Sequence, residues 1–212
     1  MKTENLIDLL ATGGAAVAAP PLRRYLAAIG WGALGAGLLM LVLLKVRDDL
    51  LQAVLLPMFW IKIGFVVGLG GSAAFATLRL SRPGARLARV PITILLPLLF
   101  IWAIAVFSWL GADSSQRSQL FFGETWKSCP LLIALLSIPA FVATMRAMRD
   151  MAPTRPCLAG SAAGLLAGTV AAAVYCLHCP EMGAPFIGFW YLLGMLLPAA
   201  AGALAGNRLL RW

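Results

Sequence analysis

Ionisable side chains are scarce in this sequence. Of 212 residues only 12% are charged, while 61% are hydrophobic, and the mean hydropathy is +0.90. An average globular chain is about 25% charged and roughly 45–50% apolar, so a water-soluble enzyme is excluded. Disorder is excluded too, because such a chain has ample apolar surface to bury. Histidine occurs once, at position 178, which rules out a histidine-based catalytic network within one chain. Acidic residues number eight against 17 basic ones, and no carboxylate lies deep in a long apolar run. Ion-coupled transporters and proton pumps are built around such groups, so their absence argues against transport. HExxH, Walker-type and GxSxG signatures are missing as well. The chain is expected to be no enzyme and to take no small-molecule substrate.

What is abundant is apolar sequence in long runs. An apolar run of about 20 residues crosses a hydrocarbon core of about 30 Å as a helix. Six such runs occur, near 25–44, 57–78, 90–110, 129–145, 157–178 and 185–206, the fourth being the shortest. The expected fold is all-α: a polytopic membrane protein with a bundle of six transmembrane helices. Residues 1–24 form a cytoplasmic N-terminal segment, 25–206 the bundle and 207–212 a basic cytoplasmic tail. Residues 1–24 lack the basic and apolar regions of a cleavable signal.

Charge fixes the orientation. Lys2, Arg23, Arg24, Arg79, Arg82, Arg86, Arg89, Arg146, Arg149, Arg155, Arg208 and Arg211 fall on one side, with only Glu4, Asp8 and Asp150. The other side holds Lys45, Arg47, Arg117 and Lys127 with Asp48, Asp49, Asp113, Glu124 and Glu181. By the positive-inside rule the basic side, with both termini, is cytoplasmic. The formal charge of +9 thus sits in short clusters facing lipid headgroups, and no nucleic-acid partner is expected.

Local patterns refine this. Residues 1–11 are amphipathic, with Leu6, Leu9 and Leu10 on one face and Ile7 beside it. Gly13-Gly14 and Pro20-Pro21 end the pattern. So short a helix needs a surface to fold against, either its own bundle or membrane, or a groove on another protein. Glycines four apart, at Gly64 and Gly68, at Gly160, Gly164 and Gly168, and at Gly202 and Gly206, suit close helix contact. Trp60, Trp109, Trp126 and Trp212 read as interface anchors. Lys62 is the one charge within a span, expected to snorkel outward or to meet a structural partner.

The cysteines are the most informative polar feature. Cys129 opens the fourth run from its outer side. Cys176, His178 and Cys179 close the fifth run on that side, and Cys157 lies at the inner end. Three thiols and the only histidine therefore gather at the outer face, where disulfides persist if the space is periplasmic. Three readings stand. One is a structural disulfide between Cys129 and Cys179. The second is a redox or metal sensor, with Cys129, His178, Cys179 and Glu181 as ligands for a transition-metal ion. The third is a membrane thiol–quinone oxidoreductase using the Cys176-x-x-Cys179 pair.

Several segments, in order and spacing, resemble the NrsF family of bacterial inner-membrane negative regulators of extracytoplasmic-function (ECF) sigma factors. They are Met1-Lys2-Thr3 with Leu6-Ile7 and Leu9-Leu10, then Phe59-Trp60-Ile61-Lys62, then Arg82-Pro83-Gly84. Leu177-His178-Cys179-Pro180-Glu181 follows, with Trp190-Tyr191 and Gly194, and then the ending Arg208-Leu209-Leu210-Arg211-Trp212. The resemblance implies a multi-pass anti-sigma factor of the inner membrane that holds an ECF sigma factor through its small cytoplasmic N-terminus, at Leu6, Ile7, Leu9 and Leu10. It also implies two outer cysteines tied to a stress or heavy-metal response, which fall here on Cys129 and Cys179. Cys176 departs from the family, where that position is commonly small and apolar. No cofactor is expected beyond a metal ion acting as signal.

Overall fold

The computed structural model describes residues 21–82, 84, 87, 89–151 and 153–210. Among these residues there are helices and their connections, and no strand. The elements are α1 (Pro21–Leu43), α2 (Leu50–Ala53), α3 (Pro57–Leu80), α4 (Val90–Gly111), α5 (Ser114–Phe122), α6 (Cys129–Leu136), α7 (Ile138–Arg149) and α8 (Pro156–Tyr175). The last, α9 (Ala184–Leu209), contains one π-helical turn over Ile187–Tyr191.

Proline sets the boundaries. It stands in the first turn of α3, α4, α6, α7, α8 and α9, where a missing N–H costs nothing. Five helices, α1, α3, α4, α8 and α9, are long and apolar enough to cross a membrane, and α6 with α7 makes a sixth if that bent pair is one span. The pair meets at 47° around Ser137. Pro139, in the first turn of α7, removes one ladder bond and crowds the preceding carbonyls, which is a sufficient cause for the bend. The weakest apolar run of the sequence is thus the broken one.

The outer surface is as apolar as the interior. Trp31, Phe107 and Leu204 are 72%, 84% and 75% exposed, and α4 keeps its long aliphatic and aromatic side chains largely outside. At the centre stands α8, packed by α1, α3, α6, α7 and α9. Its glycines explain why. A methyl group on Gly160 would fall on the Gly202 carbonyl, and one on Gly164 on the Pro198 carbonyl. On Gly168 it would lie 2.7 Å from the Met195 carbonyl oxygen. Here α8 and α9 touch main chain to main chain, as small residues at this spacing allow. Gly64 and Gly68 behave differently. Gly64 faces open space, and a methyl on Gly68 would sit at an ordinary 3.5 Å from Pro97. That pair is not a close helix contact, which corrects the expectation from spacing. The second close contact comes instead from Gly32 and Gly35, which meet Ala140 and Pro139 of α7.

Two buried clusters divide the interior. One, at the end carrying Tyr25, Met148 and Leu210, is the basic end of the bundle. There the Tyr25 hydroxyl meets Ser81 Oγ at 2.8 Å and Met148 Sδ at 3.1 Å. Arg24 Nη1 also pairs with Asp150 at 3.1 Å. The other contains Cys129, Cys176 and Cys179 and marks the thiol end.

Candidate functional site

The site at the thiol end is assembled from four segments. α3 contributes Lys62 from its second turn, and α6 contributes Cys129 at its first position. The end of α8 and the loop after it carry Tyr175, Cys176 and Cys179, and α9 brings Tyr191. The π turn places Tyr191 here, since an inserted residue rotates the helix face relative to regular α geometry. Tyr191 is completely buried and packs on Tyr175 and Phe186.

Lys62 does not snorkel. It has no exposed surface. Its ammonium donates to the Cys179 carbonyl at 3.2 Å and to the Glu181 carbonyl at 3.1 Å. It also lies 4.6 Å from the centre of the Tyr191 ring, a favourable cation–π placement. A buried charge is tolerable only when so partnered. The sequence showed the lysine but not what it would meet, because backbone carbonyls leave no side-chain signature.

The three thiols at this end are fully buried and free, whereas Cys157 is exposed. Cys129 and Cys179 lie within hydrogen-bonding reach of each other. The structure therefore brings Cys179 toward Cys129 across two elements, with Cys176 in the same buried cluster. Hydrogen bonding to Cys129, aided by the Lys62 ammonium, holds the loop thiol Cys179 below its ordinary range against the opposing effect of burial. The Tyr191 hydroxyl has no hydrogen-bond partner among the described residues, an uncommon state for a buried polar group.

The four expected metal ligands do not converge. Among the described residues no group of three or more histidine, cysteine or acidic side chains is placed to hold an ion. The physical reason is that two of the four are engaged elsewhere. His178 Nδ1 meets the Lys45 carbonyl at 2.9 Å. The Glu181 carboxylate accepts from the amides of Glu124 (2.7 Å) and Thr125 (3.1 Å) and from Thr125 Oγ1 (3.2 Å). Gly123, at φ 54°, makes room for it, since a methyl there would lie 2.5 Å from that carboxyl group. Cys129, Cys176 and Cys179 remain together in one buried cluster.

A clamp closes the site from outside. Arg47 Nη1 donates to the Cys179 carbonyl at 3.3 Å, and its backbone amide donates to the Leu177 carbonyl at 3.2 Å. Asp49 takes two bonds of 2.6 Å from the same guanidinium, a bidentate geometry that fixes orientation. Hydrogen bonding to Arg47 holds the Asp49 carboxyl below its ordinary value. Beside the clamp, Phe121, Phe122, Trp126, Phe189 and Trp190 form an aromatic cluster, and Trp190 Nε1 donates to the Phe121 carbonyl at 2.8 Å. Trp126 is thus part of a packed cluster. Leu6, Ile7, Leu9 and Leu10 lie outside the described residues, as do Arg211 and Trp212.

The family model described as "Negative regulator of sigma F", NrsF, matches residues 10–212. This chain belongs to the NrsF family. Within it, the chain is 66% identical to a probable anti-sigma-F factor NrsF of Azospira oryzae, with both chains covered in full. It is 43% identical to the anti-sigma-F factor NrsF of Caulobacter vibrioides, again over both full lengths. No solved structure matches the chain.

Proposed function

We propose that this protein is an anti-sigma factor of the bacterial inner membrane, a regulator rather than an enzyme. In this reading the bundle spans the bilayer with both termini in the cytoplasm. The N-terminal segment presents Leu6, Ile7, Leu9 and Leu10 to a sigma factor of the ECF type, and the captured factor is withheld from RNA polymerase. The observation that carries the reading is similarity over full length to two proteins named as anti-sigma-F factors. The apolar outer surface supports the membrane location, because it would be intolerable in water over so many helices.

The signal enters at the thiol end. Cys129 and Cys179 come from different elements, so any bond between them, or to a shared species, alters how α6 meets the loop after α8. A thiophilic metal ion would displace both thiol protons and bridge the sulfurs. A two-electron oxidant would join them as a disulfide with release of two protons and two electrons. Either change disturbs the carbonyls held by Lys62 and Arg47. Release of the sigma factor then requires two bundle arrangements that bind it unequally. Cys176, buried beside this pair, tunes it without supplying a bridge. The names of the two full-length relatives, both anti-sigma-F factors, favour this reading over the rival thiol–quinone oxidoreductase.

The test is co-purification from the native cell in detergent, with and without residues 2–19. A sigma factor on the full-length protein alone establishes both the role and its place. A sigma factor on both proteins moves the contact to the basic loops, and none on either removes the anti-sigma reading. For sensing, a Cys129→Ser, Cys179→Ser variant should hold its sigma factor under cadmium or diamide. Normal induction in that variant would sink the sensing half.

A further inference from the structure

The bend at Ser137 has an effect beyond breaking a span. α6 packs on α9, but after the bend α7 turns largely away from α9, keeping only a small contact with it, and packs on α1 and α8. A groove opens between α7 and α9. Its inner part encloses about 350 Å³, with Ser137, Ile138 and Phe141 on one wall and Leu197, Pro198 and Ala201 on the other. Phe141 also lines a second space of about 240 Å³ toward the basic end, bounded by Val142, Met145, Arg146, Arg149 and Leu209. The two spaces share Phe141 and follow the same pair of helices. From Leu197 to Leu209, α9 rises about 18 Å at 1.5 Å per residue, slightly more than half of a hydrocarbon core of about 30 Å.

The chemistry changes along the groove. Its deep part is almost wholly apolar. Its mouth carries two guanidinium groups, which lie one helical turn apart on α7 and so share a face. The adjacent acid, Asp150, is taken by Arg24 at 3.1 Å. Among the described residues neither Arg146 nor Arg149 has an ion-pair partner, and both are exposed. A cleft with paired cations at its rim and a leaflet-deep apolar floor matches one class of molecule: an anionic phospholipid, headgroup on the arginines and acyl chain against Phe141, Leu197 and Ala201.

We propose that the α7–α9 groove is a specific site for an anionic phospholipid. It rests on the bundle lying in a bilayer, as proposed above. Basic pockets between helices at the cytoplasmic side are the usual form of such sites. Charge complementarity selects the lipid class, and the apolar floor distinguishes a lipid from free phosphate, which has nothing to place there.

Native mass spectrometry on the full-length protein in detergent tests it, with dioleoyl phosphatidylglycerol and dioleoyl phosphatidylcholine as probes. The wild-type protein should retain phosphatidylglycerol in preference to phosphatidylcholine. Each basic residue near an anionic surface is worth about fivefold, so Arg146→Gln with Arg149→Gln should weaken retention roughly 30-fold. Ala201→Phe, at an exposed position, should block the floor and lose the lipid while keeping both arginines. Arg23→Gln, at the same end but outside the groove, should change little. Thermal unfolding of each variant in lipid-free detergent verifies that the bundle is intact. Equal retention by the wild type and the double variant would overturn the proposal. So would an equal loss in Arg23→Gln, which means a diffuse basic surface. Displacement of the lipid by millimolar inorganic phosphate, with Ala201→Phe silent, would make the site one for phosphate alone. If co-purification of a sigma factor fails while this selectivity holds, the lipid site stands without the regulatory reading.

Discussion

Substituting one methyl group for hydrogen at two glycines should move stability in opposite directions. At Gly164 a Cβ would fall on the Pro198 carbonyl, 2.7 Å from its carbon and 2.9 Å from Ala199 Cα. Both walls are main chain, so no rotamer change relieves the clash, and α8 and α9 must part by about 1 Å to restore ordinary contacts near 3.5–4.0 Å. Overpacking of this kind costs about 1–3 kcal/mol, and a rigid site belongs at the upper end. The intrinsic gain of replacing a helical glycine with alanine offsets about 0.5–1 kcal/mol, leaving a net loss of about 2 kcal/mol. At Gly64 nothing lies within 4 Å, so Gly64→Ala keeps the gain alone. Chains of this size shift about 2–4 °C per kcal/mol. Gly164→Ala should then melt roughly 4–8 °C below the wild type and Gly64→Ala slightly above it. Tryptophan fluorescence on matched detergent samples measures both. Melting of the two variants within a degree of each other would refute the main-chain contact between α8 and α9.

Lys62→Met keeps the volume but leaves the Cys179 and Glu181 carbonyls without their donor. At about 1–3 kcal/mol for each unsatisfied group, the thiol end should loosen first, seen as faster hydrogen exchange over residues 176–183 than at the basic end. Unchanged exchange there would mean that the ammonium does not hold the loop. With maleimide in native detergent, Cys157 should label within minutes, while Cys129, Cys176 and Cys179 label only after denaturation, as peptide mapping can show. Rapid labelling of the buried three would contradict their burial. The Arg47–Asp49 clamp gives a pH dependence with a fixed sign. The Asp49 pKa is depressed in the fold, so the clamp's contribution is complete above the ordinary carboxylate pKa of about 3.9 and is lost as pH falls through the lower folded value. Loop exchange relative to an Asp49→Asn variant should therefore differ equally at pH 6 and pH 8, and the difference should vanish in strong acid. A difference that fades between pH 6 and pH 8 would place the responsible group elsewhere.

Much of the architecture was legible because long apolar runs punctuated by proline point to helices of matching length. Apolar runs of sufficient length located every long helix within a few residues, and proline marked most starts. The thiol end was legible as well, since Cys129 and Cys179 flank turns that topology must bring to one face. Other features escaped for identifiable reasons. Glycine spacing at Gly64 and Gly68 looks like that at Gly160 and Gly164, because spacing records a helix face and not what stands opposite. Glu181 read as a metal ligand because a carboxylate beside cysteines satisfies a ligand list. Its true partners are backbone amides freed by the turn at Gly123, which no side-chain pattern announces. Lys62 was conspicuous as a charge, yet its carbonyl partners come from a loop over a hundred residues away. The π turn that aims Tyr191 leaves no composition signal.

The main-chain seam between α8 and α9 has a mechanical consequence. Where side chains interlock, a small displacement is absorbed by rotamer changes within a turn or two. Along Gly160, Gly164 and Gly168 there are no side chains to yield, so α8 acts as a stiff rod about 30 Å long. A fraction of an ångström imposed at Tyr175 and Cys176 arrives almost undiminished at Pro156, beside the Arg24–Asp150 pair's end of the bundle. The thiol end and the basic end are thus joined by a link with very little backlash.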